Sequence, residues 1–180
     1  MNVRIIAGKF GGRIIKSPNS QTTHPMSERI RGSVFNIIGD KIIEASVLDA
    51  FAGTGSVGLE ALSRGAKLAT FIERDRAAFL TLADNINILD VKNQSIATQI
   101  GVSTWIDKNQ EKNYDIIFAD PPFNDPQLST VARLLGMLKV NGLMILSYLG
   151  SGEVPTVDGF VVVDNRRYGN AALIIYRRDR

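Results

Sequence analysis

The hydrophobic positions of this chain change rhythm near residue 45. Downstream, short apolar runs alternate with longer stretches that repeat every three to four residues, the signature of strands followed by amphipathic helices. Strands are predicted at residues 47–50, 68–73, 96–100, 114–119 and 142–149. Helices are predicted at 55–64, at 76–89 with Phe79, Leu82, Ala83, Ile86 and Leu89 on one face, and at 128–138. Residues 102–107 follow neither period, and 161–164 with 171–176 read as a closing hairpin. Such alternation predicts an α/β fold, a mostly parallel sheet covered by helices on both faces, with the hairpin adding antiparallel strands. Upstream, residues 3–6 and 13–16 flank a glycine-containing turn as a small hairpin, and 17–25 is a polar loop. A helix then begins at Ser27, places Ile30, Val34, Phe35, Ile37 and Ile38 on one side, and ends near Gly39. The expected organisation is an appendage at 1–44 and the main domain at 45–180.

Composition narrows the classes. A hydrophobic fraction of 44% and a charged fraction of 22% suit a globular protein, and 180 residues suffice for one core. With no cysteine, disulfides and thiolate metal sites are excluded; with His24 alone, a Ser-His-Asp triad or histidine-rich metal site is not expected. No apolar run approaches the roughly 20 residues that span a bilayer, and MNVRIIAGKF lacks a signal-peptide core, so a cytoplasmic protein is expected. The net charge of +3 is unevenly spread: residues 1–41 carry seven basic and two acidic side chains, a net of +5. A basic front end on a near-neutral body is what binding to a phosphate backbone requires. Arg13, His24, Arg29 and Arg31 are the candidates for that contact.

Between the first main-domain strand and its helix lies Asp49-Ala50-Phe51-Ala52-Gly53-Thr54-Gly55-Ser56-Val57-Gly58. Glycines without Cβ let the backbone turn tightly and approach a ligand, and ligands of open α/β sheets sit at the carboxyl ends of strands. The segment also satisfies G-x-G-x-x-G, and Glu73 follows Gly53 by 20 residues, as in dinucleotide-binding proteins. Asp49 separates the readings: a carboxylate there is unhelpful beside a pyrophosphate but suits the ammonium or sulfonium of S-adenosylmethionine. Glu73 can accept hydrogen bonds from ribose hydroxyls in either case.

Directly after the strand at 114–119 stands Asp120-Pro121-Pro122-Phe123, again at the carboxyl edge. Two prolines fix φ near −65° and remove two backbone donors, which leaves the Pro121 carbonyl free to accept. The exocyclic amine of a nucleobase is a poor nucleophile because its lone pair is delocalised into the ring. Asp120 and the Pro121 carbonyl can each take one N–H, favour a pyramidal nitrogen and aim its lone pair, while Phe123 stacks on the base.

The whole chain resembles the RsmD family of bacterial 16S ribosomal RNA guanine-N2 methyltransferases. VRIIAGKFGGRII is similar to that family's opening hairpin, and His24-Pro25-Met26-Ser27-Glu28-Arg29-Ile30-Arg31 to its R-P-T-x-x-R-V-R element. LDAFAGTGSVGLEALSRGA resembles its cofactor loop, FIERD its ribose-binding strand end and DPPF its catalytic motif. The resemblance implies a class I Rossmann-like methyltransferase fold with a seven-stranded sheet, S-adenosylmethionine as donor, and a guanine of 16S rRNA or the small ribosomal subunit as acceptor. It implies Asp49, Phe51, Ala52, Gly53, Thr54, Gly55, Glu73, Arg74, Gly101 and Val102 as cofactor contacts, no metal, and a monomer. The chain departs from the family at His24 and Met26, where Arg and Thr are usual, and at Gly32, where glutamate is usual. Gly101-Val102 stands where an Asn-Ala or Asp-Ala pair usually faces the adenine. Alternatives are methylation of DNA adenine-N6 or cytosine-N4, a nicotinamide-dependent oxidoreductase, which leaves 120–123 unexplained, and a non-enzymatic RNA-binding module, which explains neither motif.

Overall fold

A computed structural model describes residues 2–17, 26–150 and 154–180. Seven strands form one sheet: β3 (Ser46–Asp49), β4 (Leu68–Glu73), β5 (Ser95–Gln99), β6 (Tyr114–Ala119), β7 (Leu138–Leu149), β8 (Phe160–Tyr168) and β9 (Ala171–Arg178), in the order β5-β4-β3-β6-β7-β9-β8. The first five pair in parallel and β9 pairs antiparallel to both β7 and β8. Their near-continuous apolar sequences follow from burial on both faces. Val47, Phe71, Ile116, Phe118, Ile145 and Ile175 point into one apolar cluster, and Leu48, Ile72, Ile117, Met144, Leu146 and Ile174 into the other.

Helices α2 (Ser56–Ser63) and α3 (Arg76–Leu89) cover the first face, α4 (Val102–Lys108) and α5 (Leu128–Leu135) the second. Helix α3 starts where Asp75 accepts from the Ala78 N–H at 2.8 Å. Helix α2 is buried all round, and Gly58 allows its approach to the sheet: a Cβ there would lie 2.3 Å from the Phe71 ring. Because chain direction across the sheet reverses after β5, the switch point falls between adjacent β3 and β6.

Sequence and structure differ at four elements. Residues 102–107 are helical, with Val102, Trp105 and Ile106 as the buried stripe. Helix α5 stops at Leu135 and β7 begins at Leu138, because the backbone there already pairs with Tyr114. Strand β8 runs well beyond 161–164, to Tyr168, with a register shift between Val162 and Asp164.

The first strands, β1 (Asn2–Arg4) and β2 (Ile14–Lys16), form a separate two-stranded ribbon, followed by α1 (Glu28–Ile38). Ser27 caps α1 by accepting from the Ile30 N–H, and Gly39 ends it at φ +56. Val3, Ile5, Phe10 and Ile15 of the ribbon segment and Val34, Phe35 and Ile38 of α1 join the same cluster as α2 and α3. Gly8 lies against the end of α2 at φ +83, and a Cβ on it would sit 1.9 Å from the Ser63 carbonyl oxygen. The polar tie is Glu60 of α2, fully buried. Its carboxylate accepts from the N–H groups of Ile6 (2.8 Å) and Ala7 (3.1 Å) and pairs with Arg64 at 2.8 Å and Arg31 at 3.6 Å. Removing one partner of a buried pair strands the other charge. Glu60→Ala should therefore cost about 3–5 kcal/mol in urea denaturation, and Arg31→Met in the same chain should recover part of the loss.

Candidate active site

The loop after β3 and the loop after β6 meet across the switch point. The Ala50 N–H donates to the Phe118 carbonyl at 3.0 Å and the Ala52 N–H to the Ile72 carbonyl at 2.9 Å, which ties the glycine loop to β6 and β4 together. The loop closes with the Gly55 N–H on the Ala52 carbonyl, and Gly55 takes φ +87 with Leu82 packed where a Cβ would stand. Around Gly53 and Gly101 a Cβ would meet nothing within 4 Å, so open space lies above both.

Three carboxylates lie near one another at these strand ends. Asp49, 3% exposed at the end of β3, accepts from the Gly58 N–H at 2.9 Å. Burial pushes its carboxyl up to about 7; the Gly58 bond opposes this, and the nearby charges of Asp120 and Glu73 add to it. Glu73 ends β4 and bridges backbones, accepting from Gly53 N–H and Asp75 N–H at 2.7 Å each. Burial raises its pKa while those bonds lower it. Asp120 follows β6; burial raises it too, and a hydrogen bond from the Ser147 hydroxyl on β7 pulls it back. Three acids held close with raised pKa values favour a cationic occupant, since a positive charge would stabilise each ionised form.

Pro121 is buried and Pro122 exposed, whereas Phe123 is 46% exposed, a large apolar ring presented to solvent. The loop continues to Asp125, which faces Arg74 at 3.8 Å across the end of β3. Both are about half exposed, so that pair contributes little to stability. Phe51 is half-buried against the second cluster, Ala52 and Thr54 are buried, and the Val102 side chain packs into the core. Only the backbone of Gly101 and Val102 remains for a ligand.

The family model described as Conserved hypothetical protein 95 matches residues 3–177. The ribosomal RNA small subunit methyltransferase D of Escherichia coli is 34% identical, over 98% of this chain and 90% of its own length. This chain belongs to the RsmD family. The protein of that name in Haemophilus influenzae is 29% identical over 97% of this chain and 93% of its own. The solved structure of yhhF from Escherichia coli superposes with a TM-score of 0.89 at 30% identity, covering all of this chain and 99% of that one. The fold is the class I Rossmann-like methyltransferase fold.

In this RsmD-family chain the basic candidates separate. Arg29 is exposed on α1. Arg31 is a correction: it is 1% exposed, donates to the carbonyls of Met26 and Arg4, and faces Glu60, so no phosphate can reach it. Burial lowers its pKa and the Glu60 carboxylate opposes that. Arg13 is exposed but committed, donating to the Ile88 carbonyl and lying over the Phe10 ring. His24 lies outside the described residues.

Two site residues escaped sequence reasoning. Asn85, fully buried, donates to the Thr54 carbonyl in the glycine loop and the Lys16 carbonyl, at 2.9 Å each. It also accepts from the Lys16 N–H at 2.7 Å, joining β2 to the loop. Ser147 touches Asp120. Each is a polar residue inside an apolar pattern, Asn85 on the Leu82–Ile86–Leu89 face and Ser147 within LMILSYL, and that interruption was the available signal. By carboxyl NMR, Asp49 should titrate near 7 in the ligand-free protein, and Asp120→Asn should lower that value by removing a neighbouring negative charge. An ordinary carboxylate titration for Asp49 would count against the converging-acid site.

Proposed function

We propose that this chain transfers a methyl group from S-adenosylmethionine to the exocyclic N2 amine of a guanine in small-subunit ribosomal RNA. The observation that carries the reading is the grouping of Asp49, Glu73 and Asp120 at neighbouring strand ends, beside a proline-fixed acceptor loop at the switch point. The residues present fit the donor. Asp49 would face its ammonium, the spare lone pairs of Glu73 would take ribose hydroxyls, and the backbone at Gly101 and Val102 would meet the adenine edge. Gly101 has no side chain with which to read the adenine amine, in keeping with the open space there. Bound at this site, S-adenosylmethionine supplies an electrophilic methyl on a sulfonium.

The chain's own residues do the rest by position and charge. The Asp120 carboxylate and the Pro121 carbonyl each accept one N–H of the amine, which favours pyramidal nitrogen and directs its lone pair. Phe123 offers its face to the base. Asp120, with its raised pKa, is placed to take the proton that the amine loses after transfer. The names of the relatives, ribosomal RNA small subunit methyltransferase D, support rRNA as the acceptor. The resemblance in sequence supports guanine N2. A buried acid at Asp49 disfavours a pyrophosphate on this loop, and with it a nicotinamide oxidoreductase.

Calorimetry separates the classes: S-adenosylhomocysteine should bind and NAD should not, and the reverse result would overturn the reading. Asp120→Ala should lower transfer to rRNA by at least about 10²-fold, with S-adenosylhomocysteine affinity held within a few-fold. Ser147→Ala removes the bond that lowers the Asp120 pKa, so this pKa rises further. The rate, which needs the ionised form, should then fall off at higher pH than in the parent protein. An unmoved acid limb would exclude Asp120 as the group that titrates.

A further inference from the structure

Helix α1 buries Arg31, Val34, Phe35 and Ile38, and turns a second face outward: Arg29, Gly32, Ser33 and Asn36, spaced three, four and seven residues apart. This face lines an open groove of about 560 Å³ together with Ile6, Glu28 and Arg166 of β8. A hydrogen bond between the hydroxyls of Ser33 and Tyr168 holds the walls together.

Strand register places the groove. Tyr168 pairs with Ala171, Ala171 with Leu149, and Leu146 with Ala119. Tyr168 is therefore level with Pro122, on the same sheet edge as the acceptor loop. It stands three strands away, about 14 Å at the usual spacing of ~4.8 Å.

The charges in the groove are arginines with weak or no claims on them. Arg29 has no acidic partner among the described residues. Arg166 pairs with Asp164, two residues away on the same exposed strand, at 3.1 Å. The carboxylate of Glu28, also lining the groove, is neutralised by Arg4 at 2.7 Å. Gly32 leaves this part of the groove open: a Cβ there would meet only the Ile6 side chain, at 3.7 Å.

We propose that this groove carries the phosphodiester backbone of the RNA strand flanking the target base. Arg29 and Arg166 neutralise phosphates, and Asn36 contributes an amide. The inference rests on the RNA reading above.

The test is binding of a small-subunit rRNA transcript to the full chain by fluorescence anisotropy across a potassium chloride series. Arg29→Ala and Arg166→Ala should each reduce the slope of log affinity against log salt by about 0.7. Unchanged slopes and affinity in both variants, with wild-type RNA binding intact, would overturn the groove alone. A wild-type chain that binds S-adenosylhomocysteine but no RNA would overturn the functional reading and the groove with it. Competition by polyglutamate as strong as by RNA of equal charge would reassign the groove to an acidic polypeptide.

Discussion

The buried carboxylate of Glu60 fixes the geometry on which the rest of the molecule depends. Helix α2 starts at the glycine loop, and one turn later presents Glu60 to two N–H groups of the N-terminal segment and two arginines. A charge with no exposure is tolerable only when so surrounded. The ribbon and α1 are therefore held in register with the glycine loop. Asn85 repeats the arrangement at the other end of the ribbon, joining Lys16 to Thr54. The basic front end and the main sheet share one core, so a change that loosens the former reaches the glycine loop within one helix turn.

At the sheet edge, burial works against the ionised form of three acids. Asp49, Glu73 and Asp120 each lose hydration, and Asp49 also feels the other two. Backbone N–H groups and the Ser147 hydroxyl offset only part of this. Ionised at neutral pH, such a group weighs against the ligand-free fold, because its folded pKa lies above the unfolded one: the stability it lends is full in acid and lost as pH rises through about 7. A positive charge placed beside these acids would reverse the balance.

Much of this was legible in the sequence. The strands at 68–73 and 114–119 and the helix at 76–89 stand at the expected residues, because long, regular apolar periods leave a single way to bury them. The glycine loop and Asp120-Pro121-Pro122-Phe123 were found at the correct strand ends. The role of Arg31 was not legible: arginine is read as a surface residue, and its neighbours Arg4 and Glu60 lie 27 and 29 residues away in sequence. Helix α4 was missed because seven residues with three buried positions give too short a period. The continuation of β8 beyond residue 164 was missed because an exposed edge strand shows no apolar alternation to follow.

That edge strand has a consequence of its own. Strand β8 ends the sheet with a free row of backbone donors and acceptors and three successive exposed valines, Val161, Val162 and Val163, the makings of a template for another chain. The irregularity after Val162 interrupts its flatness, and Asp164, Arg166 and Arg167 put charge where a second strand would add. Arg166 thus guards the sheet against self-association while it lines the groove beside α1. Mutational drift that trimmed this arginine to retune ligand selectivity would also erode the colloidal solubility of the protein.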